Sequence, residues 1–417
     1  MTMTWKEVQL GNVCDFQNGF AFKSELFHES GTPLLRISNI QNESVSIDRL
    51  VFIDPSDYKE DLSRYKVVKD DLLIAMSGAT TGKIGINQTD SEYFLNQRVG
   101  KFSPRKGLDK RFLYYFLSTK VEDSLAISIG SAQPNLSTQQ IKEFKIPLPP
   151  LPEQKRIVAI VDEAFEGIDR AIANTKKNLT NARELFESYL NAIFTQKGDG
   201  WMEKKLHGVV EPSCSLSYGI VQPGNDYENG LPIVRPTNLT TKTIKLGSLK
   251  RIDPVLADSY KRTKLRGGEL LLCVRGSTGV VGIAVDELKG ANVTRGIVPI
   301  RFEQSLVIQA FGYYMLISKM IQEQIREKTY GTALMQINIC DLRDIVLSFP
   351  KQEEQQTLVE KLDRMENETQ RLEAIYQQKL AALTELKQSI LQKAFTGELT
   401  ADNANQVTKT AKEVIAA

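Results

Sequence analysis

Asp71-Leu-Leu-Ile-Ala-Met-Ser77-Gly78-Ala-Thr80 returns 198 residues later as Glu269-Leu-Leu-Leu-Cys-Val-Arg275-Gly276-Ser-Thr278. Each copy is a short apolar run closed by a polar, glycine-containing turn, the pattern of a strand buried on both faces. The duplication extends outward in both directions. Trp5 to Gly11 matches Trp201 to Gly208, Arg36-Ile-Ser-Asn39 matches Arg235-Pro-Thr-Asn238, and Ile53-Asp54-Pro55 matches Ile252-Asp253-Pro254. Phe112-Leu-Tyr-Tyr115 matches Phe311-Gly-Tyr-Tyr314. The offset drifts only from 196 to 201, so the 417 residues are one unit of about two hundred written twice.

Each copy has two parts. Residues 1–150 and 200–350 mix short apolar runs with Gly, Pro, Asn and Ser, and are expected to fold as compact mixed α/β (α+β) domains. Strands are expected at Leu72–Met76 and Leu270–Val274, and aromatic-faced helices at Arg111–Thr119 and Ala310–Lys319. Residues 151–199 and 351–399 are long helical segments with almost no glycine. Ile157, Val161, Ala164, Ile168, Ile172, Thr175, Leu179, Ala182, Phe186, Tyr189 and Ile193 recur at steps of three and four, a heptad seam with one stutter. Leu358, Leu362, Met365, Thr369, Leu372, Tyr376, Leu380, Leu383, Leu386, Ile390 and Ala394 repeat the pattern. Two exposed apolar stripes are unfavourable. The expectation is therefore an antiparallel two-helix coiled coil that separates the two domains, a dumbbell with a pseudo-two-fold axis. Residues 400–417 form a tail beyond the repeat.

Composition narrows the function. The chain carries 53 Lys and Arg against 51 Asp and Glu, net +2. That balance conceals a segregation: residues 1–150 are neutral, residues 201–350 carry +5, and the helical segments are mildly acidic. Four cysteines without a CxxC pair and two distant histidines argue against a disulfide framework, a His-rich metal site and a Ser-His-Asp triad. No run approaches the ~18 apolar residues of a membrane span, and no signal peptide opens the chain, so a cytoplasmic location is expected.

Two apparent catalytic motifs fail on spacing. Gly78-Ala-Thr-Thr-Gly82-Lys83-Ile84 has three residues between its glycines where a phosphate loop needs four, and Ile where it needs Ser or Thr. A tight turn after a strand is the better reading. In Asp54-Pro-Ser-Asp57-Tyr-Lys59 the acids are too close for a nuclease metal site, so a capping role is expected.

Three features together carry a resemblance. They are the domain–helix–domain–helix duplication; Ile146-Pro-Leu-Pro-Pro-Leu-Pro152-Glu153-Gln154, repeated as Phe349-Pro-Lys-Gln-Glu-Glu-Gln355; and Ser389-Ile-Leu-Gln-Lys-Ala-Phe395-Thr-Gly397-Glu-Leu399. The chain resembles the specificity subunit of type I restriction-modification systems over nearly its whole length. The resemblance implies that each globular domain is a target-recognition domain reading one half of a split double-stranded DNA sequence, with the helices as a ruler. It implies two modification (adenine methyltransferase) subunits and two restriction (translocase and nuclease) subunits as partners. It also implies no catalytic site, metal or cofactor on this chain, with S-adenosylmethionine, ATP and Mg held by the partners. A coiled-coil DNA adaptor or inhibitor scaffold working without a methylase is the alternative.

Base readout favours Arg for guanine and Asn or Gln for adenine, while Lys, Ser and Thr serve phosphates. Such residues in turns shared by both copies are the candidates. In the first domain they are Lys23, Ser24, Ser77, Thr80, Thr81, Lys83, Asn96, Gln97, Arg98, Gln133 and Asn135. In the second they are Tyr218, Arg275, Ser277, Thr278, Thr294, Arg295, Gln336 and Asn338. Ser137 with Gln140 fits a capping box. Arg36 and Arg235 are as well suited to buried salt bridges as to DNA. The clusters Tyr114-Tyr115-Phe116 and Tyr313-Tyr314 are expected to be core.

Overall fold

The computed structural model describes residues 5–41, 43–128, 135–331 and 335–400. They form two compact units, one within residues 5–176 with 378–400, the other within residues 177–377. The two long helices are Leu151–Gln196 and Gln352–Thr396, and each contributes one part to each unit. Each unit therefore combines one globular part with portions of both long helices. The physical reason is that each globular part packs its core directly onto the helix residues beside it.

In the first unit a five-stranded sheet runs in the order Cys14–Asn18, Val99–Pro104, Leu72–Ala75, Ile84–Ile86, Glu43–Ser44. A four-stranded sheet runs Val51–Ile53, Thr32–Leu35, Tyr93–Leu95, Lys66–Val67, with the middle pair parallel. All four residues of Leu72–Ala75 are buried. Leu72 and Ile74 face the core shared with helix Lys110–Ser118 and the long helices, while Leu73 and Ala75 face a second core under Leu35 and Leu95. A strand covered on both faces needs no polar alternation, which is why this run reads as unbroken apolar sequence.

The second unit repeats the plan with shorter sheets. Leu270–Cys273 lies between Val281–Ile283 and Ile297–Ile300. Leu231–Val234 lies between Lys250–Ile252 and Asn292–Val293, again with one parallel pair. Leu270 and Leu272 face the core shared with helix Gln309–Ile317 and the long helices, and Leu271 and Cys273 face the core under Val234 and Val293.

The long helices run antiparallel where they meet. Asp169 pairs with Lys387 in the first unit at 2.5 Å, and Arg183 pairs with Glu373 in the second at 3.1 Å. Ile157, Val161, Ile168, Leu383, Ile390 and Ala394 are buried in the first unit's core. Towards the end of the first long helix the burial shifts. Leu190 and Phe194 are buried, whereas Tyr189 and Ile193 of the expected seam are only half-buried. Here the helix meets aromatic residues of the globular part, Phe311 among them, as well as the other helix.

Each long helix is fastened to its globular part by a fully buried glutamine in its first turns. Gln154 accepts the Asp109 N–H at 2.8 Å and donates to the Gly107 and Pro149 carbonyls at 2.9 and 2.8 Å. Gln355 accepts the Ile308 N–H at 2.8 Å and donates to the Leu306 and Pro350 carbonyls, both at 2.8 Å. Asp109 in turn caps helix Lys110–Ser118 through the Arg111 and Phe112 N–H groups.

A second fastening starts from equivalent loop positions of opposite charge and reaches different helix sites in the two units. Ser44 pairs in parallel with Ile86 and Thr243 with Ile283, so Glu43 and Lys242 occupy equivalent places. Glu43 lies 3.6 Å from Lys387, which also sits over the Phe165 ring. Lys242 lies 2.5 Å from Glu366 and 3.3 Å from Asp363, over the rings of Tyr313 and Tyr314. Tyr314 donates to both carboxylates, and burial together with these acids pushes its phenol far above the usual range, so it stays protonated.

Each buried donor or acceptor left unpaired costs about 1–3 kcal/mol. Gln154→Leu or Gln355→Leu is expected to lower unfolding free energy by about 2–4 kcal/mol in urea titration, since one buried carbonyl and two partly solvated backbone groups lose their partner. Lys242→Glu, which sets an acid against Glu366, is expected to lower the melting temperature, and the reversed pair K242E/E366K to recover most of the loss.

Candidate nucleic-acid interface

At the carboxyl end of Leu72–Ala75 the chain enters a turn that needs glycine. Gly78 and Gly82 have φ of +74° and +84°. The Thr81 N–H bonds the Gly78 carbonyl at 3.1 Å, and the Gly82 N–H returns to Ala75 at 2.9 Å. The turn leads into strand Ile84–Ile86 rather than a helix, which excludes a phosphate loop. Beside it lie the turn Asn96–Arg98, the end of strand Cys14–Asn18, and Asn135, which forms a bridge with Ser77. The Arg98 guanidinium donates to the Asn135 side-chain oxygen at 2.7 Å, and Thr138 donates to Asn18 at 3.0 Å. Asn18, Gln97, Arg98, Asn135, Ser137 and Thr138 line an open groove of about 520 Å³. Its floor depends on Gly19, where a Cβ would stand 2.1 Å from the Leu95 carbonyl oxygen.

The second unit builds the same place with different side chains. Met76 N–H bonds the Arg98 carbonyl as Val274 N–H bonds that of Gly296, and Leu136 N–H bonds Met76 as Ile337 N–H bonds Val274. Arg275 bridges Gln336 as Ser77 bridges Asn135. A Cβ on Gly219 would stand 1.9 Å from the Val293 carbonyl oxygen, the counterpart of the Gly19 approach. Equivalent positions therefore read Ser77 and Arg275, Arg98 and Gly296, Asn135 and Gln336, Ser137 and Asn338, Asn18 and Tyr218. Tyr218 donates to the Ile337 carbonyl at 3.1 Å. Tyr330 donates to Asn338 at 2.5 Å and accepts from Gln336 at 3.0 Å.

The structure thus gathers Ser77, Gln97, Arg98 and Asn135 in one unit, with Asn96 half-buried in the same turn, and Tyr218, Arg275, Gln336 and Asn338 in the other. Arg295 is exposed on the turn equivalent to Gln97. Lys83 is half-buried at the end of its turn, Ser277 is exposed, and Thr278 donates to the Met335 carbonyl at 3.2 Å. Lys23 and Ser24 sit on a separate loop, at the start of the short 3-10 turn Ser24–Leu26. Thr81 is corrected: it is 3% exposed and its hydroxyl donates to the Gly78 carbonyl, so it holds the turn instead of offering itself to a ligand. Thr294 is buried, with 8% of its surface exposed. The Thr80 hydroxyl is directed to the Ile37 carbonyl at 3.2 Å. Gln133 lies outside the described residues, as do residues 401–417 of the tail.

Sequence reasoning missed Asn18, Thr138 and Tyr330. Asn18 had a usable signal, standing before Gly19 as Tyr218 stands before Gly219. Tyr330 had none, because it meets Gln336 and Asn338 only through the pairing of Thr329–Tyr330 with Gln336–Ile337.

The other candidates resolve simply. Asp54 and Asp253 cap short helical turns through the Ser56 and Val255 N–H groups. Ser137 and Gln140 form the capping box. Arg36 has no acidic partner within 4 Å among the described residues and donates instead to the Arg49 carbonyl at 3.3 Å; Arg235 likewise has no such acid. The salt-bridge reading of both arginines is therefore corrected. Tyr114, Tyr115, Phe116, Tyr313 and Tyr314 are buried, and burial pushes the Tyr114 and Tyr313 phenols up to about 12. Burial also pushes the Cys14 thiol up to about 12, well away from a reactive thiolate. Among the described residues no cluster of His, Cys, Asp and Glu could hold a metal, and no helix is long and apolar enough to cross a membrane.

Comparison with known proteins agrees with the duplication. The family model described as type I restriction modification DNA specificity domain matches residues 3–181 and again 198–382. The EcoBI type I restriction enzyme specificity subunit of Escherichia coli is 26% identical over 95% of this chain and 87% of its own length. The MjaVIII specificity subunit of Methanocaldococcus jannaschii is 30% identical over 46% of each chain. Among solved structures, a chain from a study of complex assembly and conformational transition of the type I R-M system superposes with a TM-score of 0.75. It is 21% identical, and the match covers 95% of this chain and 98% of that one. The HsdS subunit of Thermoanaerobacter tengcongensis gives a TM-score of 0.56 at 20% identity, over 95% and 97% of the two chains. With the domain model matched twice and most of the length accounted for, the chain belongs to the type I restriction-modification DNA specificity family.

Proposed function

We propose that this chain is the DNA-reading subunit of a type I restriction-modification complex, each unit recognising one half of a split duplex target. The observation that supports this most is the paired turn cluster: one backbone scaffold, built twice, carrying different hydrogen-bonding side chains at equivalent positions. Two halves of an asymmetric target demand that combination. A common frame presents the reader to the groove of DNA, and the variable side chains select the bases. The second unit, with Arg275 and Gln336 where the first has Ser77 and Asn135, reads a different half-site.

In this reading the chain performs no chemistry itself. Two modification subunits methylate adenine with S-adenosylmethionine, two restriction subunits cleave unmethylated DNA with ATP and Mg, and the long helices set the unspecified gap between the half-sites. The complex works in the cytoplasm. The coiled-coil adaptor without a methylase is distinguished by co-purification: the specificity reading requires a modification subunit to come down with this chain.

Methylome sequencing of cells carrying this chain and its modification subunit tests the division of labour. Exchanging residues 201–350 for those of a relative is expected to change one half-site and leave the other. A change in both halves, or in neither, defeats the two-unit reading. Arg275→Ala is expected to cost about 1–3 kcal/mol at one base position of one half-site if the side chain contacts guanine, measured by competition binding over single-base variants. Uniform loss over all sequences would assign it to phosphate instead.

A further inference from the structure

The charge difference between the two halves is concentrated in one segment. Residues 240–266 hold eight Lys and Arg against two Asp, net +6. The equivalent residues 41–67 hold four Lys and Arg against six Asp and Glu, net −2. This contrast exceeds the whole difference between a neutral first domain and a +5 second one; outside the segment the first domain carries +2 and the second −1.

Not all eight cations are available. Lys242 is held by Glu366 and Asp363, Lys250 donates to the Gly224 carbonyl at 2.5 Å, Arg251 donates to that of Gly230 at 2.9 Å, and Arg266 lies 3.6 Å from Glu211. Lys245, Lys261, Arg262 and Lys264 are exposed and have no acidic partner within 4 Å among the described residues. Three of these four sit on a rigid edge. Thr263 between them is buried and donates to Asn292 at 2.7 Å, and the N–H of buried Leu265 bonds the Ala291 carbonyl at 2.8 Å. Lys261, Arg262 and Lys264 flank these anchors and stay in solvent. The same lobe has its own small core of Ile220, Ile233 and Ile252, and Ile220 follows directly on Tyr218 and Gly219 of the groove. In the first unit the matching segment is acidic, and Lys66 is neutralised by Glu92 at 3.0 Å.

We propose that the basic segment 240–266 of the second unit, chiefly its Lys261–Lys264 edge, is a sequence-independent grip on duplex phosphates, a task the first unit does not share. This rests on the DNA-reading function proposed above. Unpaired Lys and Arg on a fixed backbone are what phosphate neutralisation requires, and their counterion release makes affinity salt-dependent. The chain then engages DNA chiefly through its second half, and the neutral first half reads its bases on a duplex already held.

The test uses the full chain assembled with its modification subunit, carrying K245Q/K261Q/R262Q/K264Q, and duplexes with and without the split target, titrated over a salt series. Circular dichroism and melting temperature establish that the variant is folded, and the single variant K261Q serves if the quadruple is not. The expected result is a weakening by the same factor on both duplexes. The slope of log affinity against log salt should shrink by about 0.9 for each phosphate that the variant no longer neutralises, with an unchanged preference for the target. An unchanged slope overturns the proposal. So does loss confined to the target duplex, which would make these residues base readers, or failure to assemble, which would make the edge a protein-docking surface. If the unaltered complex shows no preference between the duplexes, the DNA-specificity reading fails instead, and the slope still decides the grip.

Discussion

A primary amide buried at the root of each long helix holds this protein's parts in order. Gln154 and Gln355, themselves fully buried, each bond one N–H and two carbonyls, and the bond to Pro149 or Pro350 is fully buried as well. A glutamine offers one acceptor and two donor hydrogens, and here the three partners come from the loop before the aromatic helix and from the proline that precedes the long helix. An apolar side chain would fill the space and leave the loop without its fixing points. The position of the aromatic helix, and of the sheet packed on it, follows from that connection. The grooves at the strand ends inherit their placement from the same sheet.

Duplication supplied the frame, and divergence supplied what each copy does with it. Buried features are retained in kind: the doubly covered strand, the close glycine approach at Gly19 and Gly219, and the glutamine. Exposed features have separated. The equivalent loop positions carry opposite charge, with Glu43 meeting a lysine in one unit and Lys242 meeting acids in the other. Groove residues differ as two half-sites would need, and the small lobes have moved to opposite net charge.

Much of the architecture was legible because it repeats in short range. Heptad spacing announced both long helices, and uninterrupted apolar runs at 72–76 and 270–274 announced buried strands. At the end of the first long helix full burial passes from the seam to Leu190 and Phe194, with Tyr189 and Ile193 half-buried beside them, because this stretch faces two partners. Turn glycines announced the groove's location. Membership was less legible, since turn residues such as Thr81 and Thr294 look available in sequence yet point inward. Tyr330 joined through strand pairing that no local pattern encodes.

By itself the sequence determined the duplication, the helix periods, the strand runs and the charge totals, all of which are local or additive properties. Tertiary structure alone decided which polar side chains share a groove, which cations are already held by carboxylates or carbonyls, and which remain in solvent. The reason is that hydrogen bonding and ion pairing depend on angstrom-scale distances between residues remote in the chain. Gln154 and Asp109 lie 45 residues apart and Lys242 and Glu366 lie 124 apart, and only the packed core brings them together.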